Sequence, residues 1–148
     1  MNALGKKFTK LSYEAKTALS GFGDFEQTVE RDLQPAESFF ASFSGRYHYV
    51  LKFKNGYSVS IVKDLSKSLM SDTYYGTYGA ENDLWEIAVM YDGRIVYTTP
   101  ITDDVLGWLS EQEVIFACGR IYQLDKTPDE YAELGYTPGW EHQENEEG

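Results

Sequence analysis

A chain of 148 residues with 42% hydrophobic and 25% charged side chains has the make-up of one globular domain. A domain of this size buries roughly 68–70% of its unfolded surface and needs neither a disulfide nor a metal to fold. Net charge is −11: the last twenty residues hold seven carboxylates and no Lys or Arg, and the first 128 hold 17 acidic against 13 basic residues, or −4. That balance excludes direct attraction to nucleic acid, which needs clustered Lys and Arg, and suits a partner with a basic surface.

The single cysteine, Cys118, excludes an internal disulfide. No signal-like apolar run opens the chain, and no stretch approaches the roughly 20 apolar residues of a membrane span. The expectation is a cytoplasmic protein without membrane attachment.

Residues 1–45 read as an N-terminal helical segment. Asp24 and Gln27 suit a helix start, with Phe25, Val29 and Leu33 on one helical face. Pro35 then opens a second short helix in which Phe39, Phe40 and Phe43 form an apolar stripe ended by Gly45. Residues 46–124 form an α+β core. Tyr47, Tyr49, Leu51 and Phe53 alternate with polar neighbours up to Asn55-Gly56, a pair suited to a type I′ turn, and Tyr57, Val59 and Ile61 continue on the return. A second hairpin places Trp85, Ile87, Val89 and Tyr91 on one strand, turns at Asp92-Gly93, and returns with Ile95 and Tyr97.

After Pro100 the period changes. Asp103 and Asp104 begin a short helical turn, and Ser110 with Glu113 makes a capping box before Val114, Cys118 and Ile121, predicting an amphipathic helix over 111–122. Residues 125–148 are an acidic tail with one short helix at 129–134 and no expected order beyond Gly139. The fold expected is therefore α+β: a four-stranded antiparallel sheet of two hairpins, the 111–122 helix packed on one face, and short N-terminal helices.

Catalytic patterns are scarce. Two distant histidines, His48 and His142, and one inward cysteine offer no zinc spacing and no nucleophile with a base, and there is no nucleophile elbow or P-loop. No cofactor is expected. Asp103, Asp104 and Glu86 remain as carboxylates that a hydrolytic or metal-assisted reaction would use if they converged; helix capping explains the first two equally well.

The feature that points to function is the segment of about twenty residues between the hairpins, "KDLSKSLMSDTYYGTYGAEND". It is long for a connection without a role. Tyr74, Tyr75 and Tyr78 are rigid amphipathic contact residues, and Gly76 and Gly79 let the backbone bend. A further edge strand with Tyr74 and Tyr78 inward accounts for the same residues. The candidate binding residues are Tyr74, Tyr75, Tyr78 and Asp83 in this segment, with Trp140, Glu141 and Glu144 in the tail. A rival reading stacks the tyrosines on a nucleotide signal, with Lys63 and Lys67 as its cations. An exposed edge strand would also allow a homo-oligomer.

The runs "FKNGYSVSIV", "LWEIAVMYDGRIVY" and "TPITDDVLGWLSEQEV" together resemble a group of small accessory proteins of tailed bacteriophages, over roughly Tyr49 to Val114. The shared motifs are structural, so no active-site residues carry over. The resemblance implies a non-catalytic protein of the infected bacterial cytoplasm that occupies and inhibits a host or bacterial-immunity protein.

Overall fold

The computed structural model describes residues 4–36, 38–102 and 104–138 of the chain. Helix α1 (Tyr13–Ser20) leads into strands β1 (Asp24–Pro35), β2 (Ala41–Lys52), β3 (Tyr57–Ser68) and β4 (Tyr74–Gly76). A 3-10 turn at Ala80–Asn82 precedes β5 (Trp85–Tyr91), β6 (Arg94–Ile95) and β7 (Leu106–Leu109), and helices α2 (Glu111–Tyr122) and α3 (Pro128–Glu133) complete the chain. All pairings are antiparallel in the order β1-β2-β3-β5-β6, with β4 also on β3 and β7 also on β5. The class is α+β, but the sheet has seven strands rather than four.

The largest departure from the sequence reading lies in residues 24–45, where 24–35 and 41–45 are strand and not helix. Phe25, Val29 and Leu33 recur every four residues, a spacing that suits a helical stripe and one face of a regular strand alike, and two bulges in β1, between Gln27 and Val29 and between Arg31 and Gln34, then break the two-residue period. Phe25 pairs with Leu51 on the inner face, whereas Val29 sits opposite His48 on the outer face. Long-range pairing with β2 overrides the local pattern. Pro35 ends an edge strand, where its missing N–H costs no ladder bond. The strand region thus begins at Asp24, and the N-terminal helix is a different one, α1, capped by Ser12. The second hairpin also differs, since β6 is only two residues long and β7 takes up the remaining edge of β5.

One face of the sheet carries the core. Tyr47, Tyr49, Leu51, Tyr57, Val59, Ile61, Leu65, Trp85, Ile87 and Val89 alternate inward and pack with Ala15 and Leu19 of α1 and Val114, Cys118 and Ile121 of α2. Full burial of a Val or Ile side chain contributes about 1.5–3 kcal/mol. The Ser110–Glu113 capping box is formed in α2, and the first-turn Glu111 accepts from Ser12 N (2.7 Å) and Ser12 Oγ (2.8 Å), tying the starts of the two helices together. At the other end of α2, Asn55 of the β2–β3 turn donates from Nδ2 to the carbonyls of Ile121 (2.8 Å) and Leu124 (3.0 Å). A turn asparagine therefore also closes a helix C-terminus.

The core extends beyond residues 46–124 on both sides. Phe8 and Leu11 join it from the N-terminal segment, and Tyr131 of α3 joins it from the segment read as acidic tail. The opposite sheet face is half-buried: Arg46, His48 and Val50 on β2, Ser58, Ser60 and Val62 on β3, and Ala88 and Met90 on β5.

Candidate functional site

The tyrosine segment divides between two faces. β4 pairs Lys67 with Tyr74, Ser66 with Tyr75 and Leu65 with Gly76, so adjacent tyrosines point to opposite sides of the sheet. Tyr74 is half-buried on the inner side, with Lys6 Nζ 4.7 Å from its ring centre, while Tyr75 and Tyr78 are exposed. Backbone geometry holds this segment tightly. Thr77 N donates to Asp64 O (2.9 Å), its hydroxyl accepts from Asp64 N (3.0 Å), and Glu86 Oε2 accepts from Tyr78 N (2.9 Å). A Cβ on Gly76 would lie 1.8 Å from Asp64 O, and one on Gly79 would lie 2.8 Å from Trp108 Cα. The glycines serve close backbone approach as well as bending.

Trp108 is the residue that the sequence reading missed. Between Trp85 and Ile87 on β5 the partner strand β7 advances from Leu109 to Leu106, one residue more than β5 does. This bulge holds Trp108 at φ +60°, an uncommon conformation for a bulky residue, and leaves its side chain 57% exposed. Trp108 N donates to Tyr78 O (3.2 Å), which fixes the indole-bearing strand beside the tyrosine segment. Tyr74, Tyr75, Tyr78 and Trp108 line one shallow notch of about 170 Å³ with Leu65 and Glu81. The signal available in the sequence was a Gly-Trp pair immediately before a capping box, outside either helix or alternating strand.

Asp83 does not join this notch. It stands at φ +62° and accepts from Thr9 N (2.7 Å), Thr9 Oγ1 (2.9 Å) and Lys63 Nζ (2.7 Å). Lys63 is 1% exposed, donates also to Thr9 O (2.7 Å), and lies 4.1 Å from the Trp85 ring centre. Burial lowers the Lys63 pKa, and the Asp83 carboxylate opposes that shift. This lysine is committed to the interior, and Lys67 is held by Ser71 O (3.0 Å) and Asp72 (3.6 Å), so neither cation suits the nucleotide reading.

Trp140, Glu141 and Glu144 lie outside the described residues, as does Asp103. Of the remaining carboxylates weighed for catalysis, Glu86 holds the Tyr78 amide, and Asp104 Oδ1 accepts from the next amide, Val105 N, at 2.7 Å. Burial pushes the Cys118 thiol up to about 12, the value of an inert core cysteine. His48 is pinned between Thr28 Oγ1 (2.5 Å) and Ser60 Oγ (2.7 Å), and burial, helped by Arg46, lowers its pKa. Among the described residues no three His, Cys, Asp or Glu side chains form a group able to hold a metal ion, and no helix is long and apolar enough to cross a membrane. Comparisons with protein-family models, curated proteins and solved structures give no match.

Proposed function

We propose that this chain is a non-catalytic binding protein that grips a protein partner with the aromatic surface of Tyr74, Tyr75, Tyr78 and Trp108. The observation that carries the reading is Trp108: a left-handed tryptophan, kept exposed by a bulge and set against the tyrosine segment, is backbone strain on a side chain that does not join the core, unlike its neighbours Leu106 and Leu109. Aromatic residues of this kind dominate binding hot spots. The notch of about 170 Å³ is smaller than the roughly 300–1,000 Å³ of small-molecule pockets, which favours a macromolecular surface over a nucleotide.

The bacteriophage resemblance extends the proposal to a host or bacterial-immunity protein as the partner, and the net charge of −11 suits a basic one. Trp140, Glu141 and Glu144 belong to the proposal as a second contact. The test is capture from bacterial lysate by tagged wild-type protein and by the Tyr75→Ala/Tyr78→Ala/Trp108→Ala variant, with circular dichroism as the folding control. A protein retained by the wild type and lost by the folded variant supports the reading; equal retention by both removes the aromatic surface from it.

A further inference from the structure

The end of the sheet where β1 meets β2 and β3 meets β4 carries the most exposed apolar side chains of the described residues. Phe39 is 92% exposed, Phe40 78% and Met70 89%, with Leu69 and Tyr75 about half exposed. Phe39 and Phe40 lie just before β2, and Leu69 and Met70 just after β3, and the structure joins the two places: Leu69 N donates to Phe40 O (3.3 Å) and Tyr75 Oη of β4 donates to the same carbonyl (3.2 Å). Beside them Ser42 Oγ donates to Ser68 O (3.3 Å). The two places therefore form one tip, with aromatic side chains on one and aliphatic and thioether side chains on the other.

We infer that this tip is a self-association surface whose occupant is the tip of a second copy of the chain. Three observations select that occupant. The first is area. An aromatic side chain carries roughly 150–250 Å², so the tip reaches or exceeds the roughly 300–600 Å² of the largest apolar patch on an ordinary monomer. Two facing tips of that size would bury roughly 600–1,200 Å², up to the lower edge of stable specific interfaces.

The second is charge. Two copies at −11 repel wherever carboxylates meet, but residues 38–42 and 66–73 contain only Lys67 and Asp72 as charged side chains, and these pair with each other (3.6 Å). The third is self-complementarity. A two-fold axis through the tip sets Phe39 and Phe40 of one protomer on Leu69 and Met70 of the partner subunit, and the reverse, as an isologous contact requires. Methionine against aromatic rings is a favourable pairing. Association through the long edge of β1 is opposed by its two bulges, its terminal Pro35 and its charged Glu26, Arg31 and Asp32.

Tyr75 borders both surfaces, but Phe39, Phe40, Leu69 and Met70 do not line the aromatic notch, so the inference does not depend on it. The experiment is sedimentation equilibrium of the full chain from micromolar to sub-millimolar concentration, at low and high sodium chloride. The wild type is expected to show a monomer–dimer equilibrium that tightens with salt as repulsion is screened. The Phe39→Ser/Phe40→Ser/Met70→Ser variant, altered only at exposed positions, is expected to keep its circular dichroism spectrum and to weaken dimerisation roughly tenfold or more. A wild type that stays monomeric at high salt, or a variant that dimerises equally well, overturns the inference. Tip-dependent sedimentation of a monomer with neutral phosphatidylcholine vesicles also overturns it and assigns the tip to a lipid surface.

Discussion

Two groups of aromatic residues on the same sheet do opposite work. On the inner face, Tyr47 donates to Asp32 Oδ1 (2.5 Å), Tyr49 to Glu30 Oε2 (2.7 Å) and Tyr57 to Lys126 O (2.9 Å), while Phe8 stacks on Tyr47 with ring centres 4.7 Å apart. Near β4 and the tip, Tyr75, Tyr78, Trp108, Phe39 and Phe40 stand in solvent. Residue type does not separate the groups. What separates them is strand face together with a polar partner for each buried hydroxyl, because an unpaired buried hydroxyl costs roughly 1–3 kcal/mol. The inner group stabilises the fold, whereas the outer group adds little stability and so is free to serve recognition.

The contrast is broken most severely at the Lys63–Asp83 pair beneath the inner group. Asp83→Ala leaves a buried ammonium without its counter-ion and is expected to cost about 3–5 kcal/mol, read from urea unfolding. Lys63→Met, which removes the charge and keeps the volume, is expected to cost much less; equal losses would mean that the pair is not the reason for Asp83.

Alkaline pH strikes the inner group next. Burial, reinforced at Tyr47 by Asp32 and at Tyr49 by Glu30, raises the pKa of Tyr47, Tyr49 and Tyr57 far above the ordinary value near 10. Their folded values exceed their unfolded ones, so the stability they contribute is intact below about pH 10 and falls as pH rises beyond it. Lys63, with its folded value lowered by burial, acts in the opposite sense. Urea midpoints are therefore expected to drop steeply above about pH 10, and a flat or rising trend would contradict the assignment.

A gentler probe is Tyr49→Phe, which removes the donor to Glu30 and the acceptor for Leu11 N and should cost roughly 1–3 kcal/mol by the same unfolding assay. At the exposed end the expected effects on stability are small. Tyr75→Ala and Tyr78→Ala should each stay within about 0.5 kcal/mol of the wild type. Trp108→Gly, which relieves the left-handed backbone, should raise stability by about 1 kcal/mol while weakening partner capture. A destabilised Trp108→Gly protein would show the indole to be part of the core and would erase the distinction.

Some of this was readable from residues alone. The Asn55-Gly56 hairpin, the alternation of Tyr47 to Phe53 and Trp85 to Tyr91, and helix α2 with its capping box follow from local rules, because turn chemistry, two-residue alternation and end-capping act over a few neighbouring residues. The tyrosine segment was also recognisable from its composition. Residues 24–45 were not, since an apolar spacing of four suits helix and strand alike and only pairing with β2 resolves the ambiguity.

The same limit applies to function. That Phe39 and Phe40 stand exposed beside Leu69, that Asp83 and not solvent neutralises Lys63, and that Trp108 stands beside Tyr78 are all decided by contacts between residues 20 to 74 positions apart. Outside residues 24–45, local sequence determined the main turns, the alternating strands and helix α2. Only tertiary structure decided which aromatic residues were buried and which were left exposed, because burial depends on which distant strand or loop arrives to cover each face.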